Sequence, residues 1–131
     1  MPFIPLFEGV GGGEDFLQMP KLIFSYIVCK NKSEAKKIGK VLLESRLCAC
    51  VNIFDNMNSM YWWKGKIEEE NETVLIAKTT QKLFSNLSAK VKSLHSYSVP
   101  CVLQLEVKDG DKEYVKWLVK NLAPTLKGEN S

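Results

Sequence analysis

Leu22-Ile23-Phe24-Ser25-Tyr26-Ile27-Val28, running into Cys29-Lys30-Asn31-Lys32-Ser33-Glu34, is the stretch from which the rest of the chain can be read. The apolar run is unbroken and rich in β-branched and aromatic residues, which predicts a buried central strand. Asn31 and Ser33 are helix-cap candidates, and Glu34 falls three residues after Asn31, as in a capping box. Ala35, Ile38, Leu42 and Ser45 then recur at spacings of three and four, which predicts a helix from about Lys32 to Arg46 with one small and apolar stripe.

Outward from this unit the pattern repeats. Cys48-Ala49-Cys50-Val51-Asn52-Ile53 begins a second strand, Asp55-Asn56-Met57-Asn58 interrupts it, and Ser59-Met60-Tyr61-Trp62-Trp63 resumes it. Lys64-Gly65 reverses the chain, because glycine tolerates positive φ. Lys66-Ile67 starts the return arm, Glu68–Glu72 reads as a solvated acidic stretch, and Thr73–Lys78 reads as another buried strand. Thr80 is a cap candidate for a second helix with Leu83, Leu87, Val91 and Leu94 on one face. Val99–Val107 alternates, with its odd-numbered positions apolar and expected to face the core, and Gln104 and Glu106 on the other side. Asp111 caps a last helix carrying Tyr114, Val115, Trp117, Leu118 and Leu122, with Pro124 and Gly128 ending it. The order β-α-β-β-α-β plus a terminal helix predicts an α+β, ferredoxin-like sandwich with one antiparallel sheet and its helices on one face. The expected core is Ile23, Ile27, Leu42, Val51, Leu75, Leu87, Val91, Leu103 and Leu105.

At 131 residues the chain fits one domain, expected over residues 19–123. Residues 1–18, with Pro2, Pro5 and Gly11-Gly12-Gly13, read as an N-terminal extension outside the core, and residues 124–131 as a polar tail. No apolar run approaches the ~20 residues of a membrane helix, and the N-terminus lacks the features of a secretory signal. Four cysteines without a CxxC pair suit free thiols in a reducing, cytoplasmic setting. Net charge is +3 and Arg46 is the only arginine, a weak electrostatic footprint for nucleic acid. RNA-recognition modules share this topology, but their aromatic strand segment is missing here. A hydrolase of the acylphosphatase kind needs a phosphate cradle, whereas Cys29-Lys30-Asn31-Lys32-Ser33 contains neither Gly nor Arg. No enzyme is expected.

Several segments carry a family resemblance. Arg46-Leu47-Cys48-Ala49-Cys50-Val51-Asn52 resembles the R-L-A-A-C-V-N segment of the CutA, or divalent-ion tolerance, family. Ser59 to Glu69 resembles its S-x-Y-x-W-x-G-K-I-E-E hairpin, and Lys78-Thr79 the K-T ending its third strand. His95-Ser96-Tyr97-Ser98-Val99-Pro100 resembles H-P-Y-E-x-P, with Ser96 and Ser98 in place of Pro and Glu. Gly110, Tyr114 and Trp117 resemble G-x-x-x-Y-x-x-W. The match runs in order from about Leu22 to Leu122. The resemblance implies a ferredoxin-like fold, a homotrimer, and a role in tolerance of copper and other divalent ions. It also implies kinship of assembly with PII nitrogen-signalling proteins, which bind small effectors between subunits.

Two residues are the candidate ligands for a weakly held divalent cation, copper above all: His95, the only imidazole, and Cys29. A motif at the end of the second helix can approach the end of the first strand, where Cys29 sits. The alternative for His95 is packing at a helix C-terminus. Cys48 and Cys50 form a CxC pair that suits either copper(I) thiolate binding or core packing. Tyr61, Trp62 and Trp63 lie on alternating positions and cannot share one face, so a subunit interface is expected to cover part of this cluster. The hairpin that carries them is the physical ground for expecting a homotrimer, because exposed strand edges seek partners.

Overall fold

The computed structural model describes residues 20–124. The expected N-terminal extension and nearly all of the polar tail lie outside the described residues.

Among the described residues, four strands and three helices follow in the predicted order. They are β1 (Leu22–Cys29), α1 (Lys32–Glu44), β2 (Cys50–Trp63), β3 (Lys66–Thr80), α2 (Phe84–Leu94), β4 (Val102–Val107) and α3 (Lys112–Lys120). A short 3₁₀ turn, Gln81–Leu83, leads into α2. The sheet is antiparallel in the order β2-β3-β1-β4, the ferredoxin-like arrangement. Asn31 caps α1 by accepting from the Glu34 N–H at 2.9 Å, and Asp111 caps α3 by accepting from the Tyr114 N–H at 3.0 Å. Thr80 stands at the start of the 3₁₀ turn and makes no side-chain cap.

β1 alternates strictly. Ile23, Ser25, Ile27 and Cys29 are buried toward the helices, and Phe24 and Tyr26 point the other way, half-buried. Ile27, Leu75 and Ala77 of the sheet meet Ala35, Ile38 and Leu42 of α1 and Leu87 and Val91 of α2 in one core. The close approach of α1 depends on Gly39. A methyl group there would lie 3.3 Å from Val51 Cγ2 and 3.4 Å from Leu75 Cδ1. Of the expected core, Ile23, Ile27, Leu42, Leu75, Leu87 and Val91 are buried, and Val51 is half-buried against them.

Leu103 and Leu105 are a correction. Leu103 is level with Tyr26 and Leu105 with Phe24, so both lie on the sheet face away from α1 and α2, 55% and 50% exposed. The alternation has the right period and the opposite sense. Gln104 and Glu106, level with Ser25 and Ile23, are on the helix side and still exposed, because β4 is an edge strand.

β2 and β3 are longer and more continuous than the sequence suggested. The Asp55–Asn58 interruption is a β-bulge between Phe54 and Met57, with Asn56 at φ 59°. The acidic stretch Glu68–Glu72 is part of β3 and pairs with Met57–Tyr61. Lys64 (φ 51°) and Gly65 (φ 78°) form the two-residue turn. Two successive positive φ values are the signature of the tight turn whose twist suits a hairpin. At its tip Tyr61, Trp62 and Trp63 are all exposed, Trp62 by 73%.

Candidate metal centre

Cys29 closes β1, Glu34 sits in the first turn of α1, and His95 caps the C-terminal end of α2. The ferredoxin-like crossover brings these three ends together. One ligand atom from each lies within 4.8 Å of the others, and among the described residues no other group of this kind forms. The sequence singled out His95 and Cys29; Glu34, the third donor of this cluster, reads there only as a capping residue. Its signal was present: an acidic first-turn position directly after the strand that ends in Cys29.

Glu34 and His95 are each tied down by hydrogen bonds. The Glu34 Oε1 accepts from the Lys30 N–H at 2.9 Å, and Oε2 accepts from the Ser96 N–H at 2.8 Å. Partial burial works to raise this carboxyl, but the donors from Lys30 and Ser96, with His95 nearby, outweigh it and hold it below the ordinary value of 4.5. Burial, followed by the Glu34 and Glu72 carboxylates, pushes the Cys29 thiol up to about 12. The thiol is therefore protonated at neutral pH.

His95 Nδ1 lies 3.0 Å from the Tyr97 backbone nitrogen, whose N–H donates to it. An accepting Nδ1 carries no proton, so Nε2 carries it and donates to the Val28 carbonyl at 2.7 Å. Nδ1 also stands 3.9 Å from Glu34 Oε2. Tyr97 continues the network. Its ring tilts against the imidazole with centroids 4.8 Å apart, and its hydroxyl donates to Glu72 Oε2 at 2.6 Å. Burial first, then this bond to Glu72, raises the phenol well above its ordinary range.

A thiol, an imidazole and a carboxylate are a fitting donor set for a borderline divalent ion. Such an ion, with bonds of about 2.0–2.3 Å, holds donors about 3.5 Å apart, so the group has to close in by about an ångström. The CxC pair gathers nothing similar. Cys48 is buried in the core, and Cys50 is half-buried at the position paired with Lys78.

The fold and these segments have relatives. A family model described as the CutA1 divalent ion tolerance protein matches residues 23–121. A divalent-cation tolerance protein of Archaeoglobus fulgidus is 42% identical over 95 residues, covering 72% of this chain and 92% of the relative. The human protein CutA is 39% identical over 94 residues, and the match spans 52% of its length. The solved CutA1 structure from Oryza sativa superposes with a TM-score of 0.80 at 34% identity, covering 82% of this chain and 98% of that one. The Thermus thermophilus divalent cation tolerance protein gives 0.76 at 38% identity, covering 78% and 99%. The solved Archaeoglobus fulgidus protein is described as periplasmic, and no helix among the described residues here is long and apolar enough to cross a membrane. With the family model matching most of the chain and the Archaeoglobus fulgidus relative 42% identical over 92% of its length, the chain belongs to the CutA divalent-ion tolerance family.

Proposed function

We propose that this chain works as a homotrimeric, non-enzymatic protein that binds a divalent cation, copper in the first instance, in a tolerance or response role. The convergence of Cys29, Glu34 and His95 within 4.8 Å carries the reading. Copper and zinc prefer nitrogen and sulfur donors, and the carboxylate adds the negative charge that Ser98 does not supply. Binding is weak for three reasons on this chain. Among the described residues three protein ligands converge, the Cys29 thiol has to lose a tightly held proton, and the one lone pair on His95 is engaged. A cytoplasmic location belongs to the same reading, supported by four free cysteines.

Support for the trimer lies on the sheet. Its face away from α1 and α2 presents Phe24, Tyr26, Phe54, Leu103 and Leu105, and β2 leaves its outer edge unpaired within the described chain. Exposed apolar patches and open edges of this kind suit association with further copies.

Isothermal titration with zinc(II) and copper(II), with ATP run in parallel for a small-effector role, tests the cation site. Binding is expected to weaken by about tenfold for each pH unit of acidification, because the thiol proton must leave when the ion enters. Cys29→Ser and His95→Ala are each expected to remove most of the heat. A His95→Ala protein that binds as tightly as the parent would take the imidazole out of the site.

A further inference from the structure

The hydrogen bonds around His95 leave no route to a bound cation that spares Tyr97. An imidazole nitrogen has one in-plane lone pair. If Nδ1 takes the ion, the Tyr97 N–H at 3.0 Å must vacate that lone pair. If Nε2 takes it, its proton has to move to Nδ1, which then points an N–H at the Tyr97 N–H over the same 3.0 Å. The Val28 carbonyl, 2.7 Å from Nε2, would also lose its donor. Glu34 is less restrictive, since each carboxylate oxygen has a second lone pair to offer. The Ser96 N–H nevertheless sits 2.8 Å from Oε2, on the oxygen nearest the imidazole.

We infer that Ser96 and Tyr97 form a backbone plug over the cation site, latched by the Tyr97 hydroxyl on Glu72, and that cation binding expels this plug. The inference rests on the cation reading above. The latch is strong for its size. A phenol donating to a carboxylate at 2.6 Å is a charge-assisted bond, and Glu72 is buried on β3. The Tyr97 ring packed on the imidazole holds the same segment down. Opening therefore costs binding energy, and the apparent dissociation constant is the intrinsic one divided by the fraction of molecules already open. The device sets a threshold: the site answers only when the ion is abundant enough to meet the cost of lifting Tyr97. Ser98, adjacent to the latch, brings no carboxylate that would compete with Glu72 for the phenol.

The test uses the full chain and zinc(II) alone, a probe that does not oxidise thiols. Amide hydrogen exchange at Ser96 and Tyr97 is expected to speed up on zinc addition, while the Glu34 amide, bonded to Asn31, stays protected. Tyr97→Phe keeps the backbone N–H and ring but loses the latch, and is expected to bind zinc on the order of tenfold tighter. Zinc binding by Tyr97→Phe where the parent shows none would support the plug as well. Zinc binding by the parent with both amides still protected, or with Tyr97→Phe no tighter than the parent, overturns the plug and leaves the cation reading standing. No zinc binding by either protein overturns the plug, and the copper(II) titration above then decides the cation reading on its own.

Discussion

Glutamate at both Leu103 and Leu105 is expected to lower the mass in solution from three chains to one, near 14.9 kDa. Both side chains lie on the sheet face away from α1 and α2, beside Phe24 and Tyr26 of β1. Neither belongs to the core cluster, so the charges leave the packing of the helices untouched. Within an interface they would be buried without partners, which costs far more than a surface charge does. Light scattering at micromolar concentration reads the result. A parent protein that is already a monomer sinks the trimer outright. A trimer that survives both glutamates moves the interface off the open face, and Trp62→Glu and Trp63→Glu then ask whether the hairpin tip carries it.

The other large effect is inside the chain. Leu75→Ala is expected to destabilise the protein by about 2–5 kcal/mol. Leu75 is wholly buried in β3, level with Ile27 on one side and Ile53 on the other, with its Cδ1 next to Gly39 of α1. Its removal opens a cavity where helix and sheet are closest, and the strands around it are too well paired to collapse into the space. Against a total of about 5–15 kcal/mol for a domain, that is a large share. Urea unfolding of parent and variant at one chain concentration measures it, because dissociation and unfolding are coupled in an oligomer. Phe54→Ala, measured beside it in the monomeric background, is the contrast: its side chain is 56% exposed and little is lost. Equal effects at the two positions would contradict the core as described.

What the sequence made legible follows from which forces are local. The α1 and α3 caps are short-range, so Asn31 and Asp111 could be read directly. The turn at Lys64-Gly65 and the buried run of β1 were equally plain. The sense of β4 was not. Its odd positions are apolar, but which face they join is decided by register against β1, a strand far away in sequence. A sheet with both faces apolar removes the usual rule that the greasier side is the inner one. The interruption at Asp55–Asn58 looked like a break because polar residues rarely continue a strand, whereas a bulge absorbs them and lets pairing resume at Met57. At the site, His95 and Cys29 stood out by residue type. Glu34 did not, because a carboxylate in a first helical turn has a sufficient local reason to be there, and its approach to His95 depends on how β1, α1 and α2 end together.

The burial of Cys29 and Cys48 has a kinetic consequence. Thiols react through their ionised form, and both of these are enclosed and pushed up to about 12 by burial. An alkylating reagent in native buffer can reach them only in moments when the surrounding structure parts. The chain thus holds two internal clocks in different places, one beneath the Ser96–Tyr97 segment and one in the turn between α1 and β2. Where the two run at the same rate, they time the opening of the whole domain. Where Cys29 runs ahead, they time a local breathing of the end of β1 that the rest of the core does not share.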